Sequence, residues 1–186
     1  MNVICIKIIA NPYSGLGGIV YALLKAQKYF DKNFSDEILQ ICGQYMNTQH
    51  FFGDRIAAYY MYLDGNLGLH VVNSIFHFIK NESNDISKII KKVAAQKYSR
   101  HHAINKGRCG LLAAILTLKL EANQETNLDD KVLQEVLSNV INVGLEFSKE
   151  HSMEAPLSYS EDKNLGFLNG LYGILQMLLR FELQIH

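Results

Sequence analysis

Net charge is the first thing this chain lacks: eighteen Lys plus Arg are balanced by eighteen Asp plus Glu, for a formal charge of zero. With no basic block to follow a phosphate backbone and no acidic tail to hold a basic partner, no nucleic acid is expected as a ligand. Proline is nearly missing as well. Only Pro12 and Pro156 interrupt 186 residues, and Leu, Ile, Ala, Lys and Glu fill the segments between them, a composition that favours long helices over sheets. Cysteine is scarce and unpaired. Cys5, Cys42 and Cys109 form no C-x-x-C, which argues against a disulfide framework or a zinc knuckle and fits a reducing, cytoplasmic compartment. No charge-free apolar run is long enough to be a transmembrane segment: Val3 to Ala10 is broken by Lys7, Leu111 to Leu118 is closed by Lys119, and Leu171 to Leu179 by Arg180. The first of these has a weak n-region, lacks an A-x-A cleavage pattern and reads as a short packing segment. With 48% hydrophobic residues, the chain suits one globular all-α domain spanning 1–186.

What the chain does have is a repeat. Four times a G-x-x-G is followed at once by an apolar helical run: Gly15 and Gly18 before Ile19 to Leu24, Gly65 and Gly68 before Leu69 to Ile79, Gly107 and Gly110 before Leu111 to Leu120, and Gly170 and Gly173 before Ile174 to Phe181. The first glycines lie 50, 42 and 63 residues apart, room for two helices and two loops per unit. Between the apolar runs lie segments with one polar face. Leu128 to Lys149 is the clearest, with Val132, Leu133, Val136, Leu137, Val140, Ile141, Gly144 and Phe147 at helical spacing. Ser35 to Met46 and Asp85 to Gln96 repeat it. Helices apolar all round belong inside and those with a polar face outside, so successive pairs predict a double-walled α/α toroid or an arc of one.

Two glycines three residues apart share one face of the first helical turn. A glycine in a helix costs about 1 kcal/mol relative to alanine, so its recurrence at four helix starts predicts compensation by close packing between inner helices. Gly144, away from any such pair, is expected to accept alanine. The same starts gather backbone N–H groups at one rim, which should be electropositive and favour anions or thiolates.

These residues resemble the lanthionine synthetase C-like (LanC-like) family, in whose α/α toroids seven inner helices begin with G-x-x-G. Leu165 to Leu179 resembles the fourth such segment, most closely that of the vertebrate-type members, and Asn105 to Leu120 the third. Pro156-Leu157-Ser158-Tyr159 is similar to the short stretch that precedes the fourth. The resemblance covers Asn11 to Phe181 and implies a partial ring with about four of the seven inner helices. It also implies the family's peptide modification: zinc activates a thiol, such as that of glutathione, which adds to a dehydroamino acid. The zinc ligands of the family come from W-C-H-G and C-H-G motifs, and this sequence contains neither. Where the family's third segment carries a Cys-His pair stand Asn105 and Lys106, and Asn169 occupies the catalytic His position. Asparagine does not exchange a proton near neutral pH, so the chain is expected to hold no zinc and to be inactive alone. By the same resemblance, peptide or glutathione are implied ligands, and a peripheral position at the inner membrane surface is implied alongside the cytoplasm.

Other candidate residues read more simply. His70 and His77 lie seven residues apart on one helical face, too far to share a metal ion, and suit core or polar-lining positions. His101 and His102 are neighbours whose side chains diverge. Cys109 sits inside a G-x-x-G as a buried thiol. Asp129-Asp130 and Glu161-Asp162 suit helix starts as dipole-complementing carboxylates, and Asp64 suits an N-cap. Gly107-Arg108-Cys109-Gly110 has the loop pattern of a KH-type RNA reader, but the strands and charge of such a domain are missing. A binding or scaffold role is the rival to catalysis. An open arc should expose Ile19, Tyr21 and Leu23 at one end and Ile174, Met177, Leu178 and Phe181 at the other, inviting self-association or a protein partner.

Overall fold

The structure, a computed structural model, describes residues 11–13, 15–47, 61–95, 101–122, 130–159 and 164–182. Seven α-helices follow in order: α1 Leu16–Ala26, α2 Lys32–Met46, α3 Asn66–Ile79, α4 Ser87–Ala94, α5 Arg108–Ala122, α6 Asp130–Glu150 and α7 Leu171–Glu182. One turn of 3-10 helix, Gln27–Tyr29, joins α1 to α2. No strand occurs among the described residues. The sheet that a KH-type reader packs behind its G-x-x-G is therefore absent among the described residues, and Arg108 and Cys109 lie in the first turn of a helix instead of in a loop.

Each of α1, α3, α5 and α7 starts on the residue after the first glycine of its G-x-x-G. Gly15 and Gly65 take the extended cap conformation, with φ of −133° and −144°. Asp64 therefore stands one residue before the cap and does not form it. The side-chain cap falls instead on α2, where the Asp31 carboxylate accepts from the Phe34 N–H at 3.1 Å. Asp130 stands in the first turn of α6, where its charge complements the helix dipole; Asp129, Glu161 and Asp162 lie outside the described residues, as does Val3 to Ala10 with Cys5.

The helices form two layers. Along the inner layer α1 packs on α3, α3 on α5 and α5 on α7; outside, α2 covers α1 and α3, while α4 and α6 pack on each other and on α5. Nine of the fourteen residues of α3 are buried, against Val136, Leu137, Val140, Gly144 and Ser148 along the whole of α6. The core runs through Leu67, Leu69, Ile75, Ile90, Leu112, Leu118 and Ile174, and each such side chain contributes roughly 1.5–3 kcal/mol by leaving water. Outer helices end where the chain turns sharply. Ser152 closes α6 with a positive φ of 49°, and the Met153 N–H reaches back to the Ser148 carbonyl at 2.9 Å.

The second glycine of every G-x-x-G has one recurring reason. A Cβ at Gly18, Gly68, Gly110 or Gly173 would lie far inside van der Waals contact with a backbone carbonyl: that of Pro12, Tyr62, Ile104 and Phe167 respectively. In each case the carbonyl belongs to the residue six positions earlier. The loop before each inner helix thus folds over the first turn and lays its own backbone on the glycine. At the third and fourth units the first glycine does the same, Gly107 under the His101 carbonyl and Gly170 under that of Asn164. No glycine among the described residues has a positive φ, so space, not backbone freedom, selects glycine here. The crowding expected between inner helices is therefore first a crowding between each helix and its own entry loop.

Gly144 departs from expectation. It is buried on α6, and a Cβ there would meet the Tyr159 ring at 2.6 Å from Cζ. Gly43 is the tolerant one, its nearest neighbour being the tip of the Phe76 ring at 3.2 Å.

Gly110→Ala and Gly173→Ala should each cost about 1–3 kcal/mol, since a rigid carbonyl must move. Gly43→Ala should stay within about 1 kcal/mol of the parent, because helix propensity offsets a small ring shift. Urea melts of the three variants check this, and equal midpoints would remove the carbonyl-seat explanation.

Candidate functional site

The entry loops of the four inner helices stack along one rim. The Tyr13 N–H donates to the Leu63 carbonyl at 3.1 Å, joining the first loop to the second, and the Asn105 N–H donates to the Leu168 carbonyl at 2.9 Å, joining the third to the fourth. All four acceptors and donors stand five residues before a second glycine, so the rungs obey the same register as the carbonyl seats. Side chains add a further link. Tyr62 Cβ lies 2.9 Å from where a Gly110 Cβ would be, Ile104 Cδ1 lies 2.9 Å from that of Gly173, and Pro12 covers Gly68 in the same way.

Asn105 and Asn169, the two polar residues singled out from sequence, meet at this rim. Asn105 is 9% exposed, and its Nδ2 donates to Asn169 Oδ1 at 2.9 Å. Asn169 is exposed and faces outward from the rim. Asn105 Oδ1 is buried with no hydrogen-bond partner among the described residues, a state that costs roughly 1–3 kcal/mol. Lys106 is exposed beside the pair, and Arg108, in the first turn of α5, is half-buried; burial lowers its guanidinium below the usual arginine value. The loops 101–107 and 164–170 contain no carboxylate, so with the N-terminal N–H groups of α5 and α7 this part of the rim is electropositive. Asp64 tempers it at α3.

The remaining sequence candidates are dispersed. Cys109 is fully buried in α5 and Cys42 in α2, and burial pushes the Cys42 thiol up to about 11, which keeps it protonated and unreactive at neutral pH. His102 is buried with its ring centroid 5.2 Å from that of Tyr159, whereas the adjacent His101 is exposed. His77 pairs with Glu82 at 2.7 Å on the surface at the end of α3, and His70, one turn into the same helix, is partly buried with its pKa lowered by desolvation. No group of three His, Cys, Asp or Glu side chains able to hold a metal ion occurs among the described residues. Amide oxygens of the Asn105–Asn169 pair do not replace the thiolate and imidazole ligands that zinc requires. The described residues do not fit zinc.

Two clusters escaped the sequence reading. Tyr159, the last residue of the Pro156–Tyr159 stretch, is fully buried, donates its hydroxyl to the Val140 carbonyl at 3.0 Å and lies against Gly144 and His102. A buried glycine on the apolar face of an amphipathic helix was the available signal for a ring seat. The second cluster ties α1 and the entry loop of α3 to α5. Lys25 and Glu121 form an ion pair, with Tyr21 beside them, and the Tyr62 hydroxyl meets Thr117 Oγ1 at 2.7 Å; burial pushes the Tyr62 phenol up to about 12. No spacing within a helix could reveal these pairs, because they join residues 96 and 55 positions apart.

An inner layer of G-x-x-G helices backed by amphipathic ones, with entry loops stacked in register at one rim, defines an α/α toroid-type repeat protein. A comparison with protein families agrees: residues 10–186 match the family described as lanthionine synthetase C-like protein. The chain belongs to the LanC-like family. A comparison with curated proteins returned no match.

Tyr159→Phe should lose about 0.5–1.5 kcal/mol by removing the bond to Val140, and Gly144→Ala about 1–3 kcal/mol by displacing the same ring. Because both act on one ring, a double-mutant cycle should give less than the sum; strict additivity would separate the two residues. His70 should also make stability pH-dependent. Its folded pKa lies below the usual value of about 6.5, so the unfolded chain takes up the proton first, and its contribution is full above about pH 6.5 and declines as pH falls below that. Melts at pH 7.5 and 5.5 should show a smaller loss for His70→Gln than for the parent, and equal losses would exclude His70 as a source.

Proposed function

We propose that this chain takes part in LanC-like chemistry, the addition of a thiol such as glutathione to dehydroamino acids in peptides, as a helical framework and not as a catalytic centre. The member it most resembles is the third of the vertebrate-type LanC-like proteins. The observation that carries the proposal is the Asn105–Asn169 hydrogen bond. By family resemblance Asn169 stands where a catalytic His would be, and Asn105 and Lys106 where a Cys-His pair would be. An amide bonded to another amide neither takes nor gives a proton at neutral pH, and neither side chain gives zinc a thiolate or imidazole. When bound in the family, zinc supplies a deprotonated, nucleophilic thiolate. In this chain the rim residues can instead bind and orient: the Lys106 and Arg108 cations and the exposed Asn169 amide suit a peptide carboxylate or backbone. A purely structural scaffold is the second reading, favoured by the exposed apolar face of α7, where Tyr172 and Leu179 are each 58% exposed. No helix among the described residues is long and apolar enough to cross a membrane, and three cysteines without a C-x-x-C support a cytoplasmic setting.

The test supplies the purified chain with zinc, glutathione and a dehydroalanine peptide and follows peptide mass. No adduct above the uncatalysed rate and less than stoichiometric zinc by elemental analysis are expected. Adduct formation with one tightly held zinc per chain would overturn the proposal. Fluorescence anisotropy of the labelled peptide separates the two readings: binding weakened by Lys106→Ala supports the framework role, and no binding leaves the scaffold.

A further inference from the structure

The apolar residues expected to be exposed on α7, Ile174, Met177 and Phe181, are buried, and the reactive feature of this unit lies in its entry loop instead. Asn169-Gly170 is the one Asn-Gly step in the sequence. Glycine has no side chain to shield its own backbone nitrogen, so at such a step that nitrogen can reach the side-chain carbonyl carbon of the preceding asparagine and close a cyclic imide. A fold can prevent this by burying the asparagine, by engaging the glycine N–H, or by leaving the carbonyl unpolarised.

None of these protections holds at Asn169. The residue is exposed. Its exposure belongs to its register in the repeat and not to its place before the last described helix: Lys106 stands at the same position of the third loop, has the fourth loop stacked beside it, and is exposed as well. In the third loop the Gly107 N–H donates to the Ala103 carbonyl at 2.8 Å. The equivalent Gly170 N–H has no acceptor among the described residues. Gly170 immediately precedes α7, and the positive field of that helix end favours loss of the amide proton. The carbonyl is polarised at the same time, because Asn169 Oδ1 accepts from Asn105 Nδ2 at 2.9 Å. Asn105 is itself buried, with its backbone N–H on the Leu168 carbonyl at 2.9 Å. A donor fixed on that oxygen stabilises the negative charge that develops there when the carbon is attacked.

We propose that Asn169 is a self-modifying site, at which the Gly170 backbone nitrogen attacks the side-chain carbonyl carbon polarised by Asn105 and the folded chain turns this amide into a carboxylate. In the first step base takes the Gly170 amide proton, the nitrogen bonds to Asn169 Cγ, and the bond from Cγ to Nδ2 breaks. Ammonia leaves with a proton taken from solvent, and a succinimide remains. In the second step water adds to a ring carbonyl and a ring C–N bond breaks. Opening at Cγ gives aspartate, and opening at the backbone carbonyl gives isoaspartate. Nothing is oxidised or reduced, and water is the co-reactant. The repeat accommodates the product, since the second unit carries the Asp64 carboxylate at the same position before Gly65. The loops 101–107 and 164–170 contain no carboxylate of their own, so the reaction sets a negative charge near Lys106 and offsets the positive character of the rim at α7. The inference does not depend on the framework role.

The test incubates the full chain, folded and urea-unfolded, in mildly alkaline buffer and reads peptide masses and ammonia release over time. Asn169 of the folded chain should exchange its amide for a carboxyl faster than any other asparagine, and faster than Asn169 of the unfolded chain. Asn105→Ala removes the donor, and Asn105→Leu removes it while keeping the volume. Either should slow the folded chain by about five- to tenfold, the rate equivalent of one neutral hydrogen bond, with circular dichroism confirming that the variant is folded. If a variant does not fold, the comparison of folded with unfolded parent decides. An amide at Asn169 that survives in the folded chain while the unfolded chain loses it would overturn the proposal, because the fold then protects the step. A parental rate in a folded Asn105 variant would overturn it as well.

Discussion

Everything in this fold depends on a carbonyl oxygen resting where a side chain would otherwise begin. The loop that enters each inner helix must double back over the first turn, and it can do so only if the second glycine has no Cβ. Once the loop lies there, its neighbours follow. The residue six positions ahead of the glycine has its side chain aimed at the next unit, and the residue five positions ahead is placed to bond across to the next loop. The rim, the spacing of inner helices and the meeting of Asn105 with Asn169 are all consequences of one recurring close approach.

Much of this was readable from the sequence, for physical reasons that differ by element. Helices α3, α5 and α6 announce themselves through period and punctuation, since Gly65, Gly107 and the polar face of Asp130 to Lys149 mark their starts and orientation. The pairing of apolar and amphipathic runs was enough to assign inner and outer layers, because burial follows composition when a helix has no polar face. The purpose of the glycines was harder to read. A G-x-x-G shows where side chains are missing but not what fills the space, and a backbone carbonyl leaves no residue type behind to signal itself. Aspartate favours an N-cap, so Asp64 suits that role from sequence, yet Gly65 takes it.

The site was legible in identity and not in contact. Asn169 and Asn105 could be picked out one by one against the family pattern, whereas the bond between them spans 64 residues and depends on the loop stack. In the sequence Tyr159 stands only as the end of a short stretch. Its burial against Gly144 became visible only when α6 and the segment after it were placed together. Long-range contacts of this kind have no periodicity to betray them, and they are where sequence reading gave least.

The ion pair of Lys25 with Glu121 has a mechanical meaning. Both residues sit in the last turn of their helices, α1 and α5, with α3 between those helices in the inner layer. At the opposite edge the loops hold successive helices at a spacing set by backbone and small side chains. One edge is therefore a stiff hinge line and the other is drawn in by a charge pair that salt can screen. The protein resembles a folding fan, riveted along the glycines and tied across the far edge by a charge pair worth at most about 1 kcal/mol, so the order of its blades is set at the hinge.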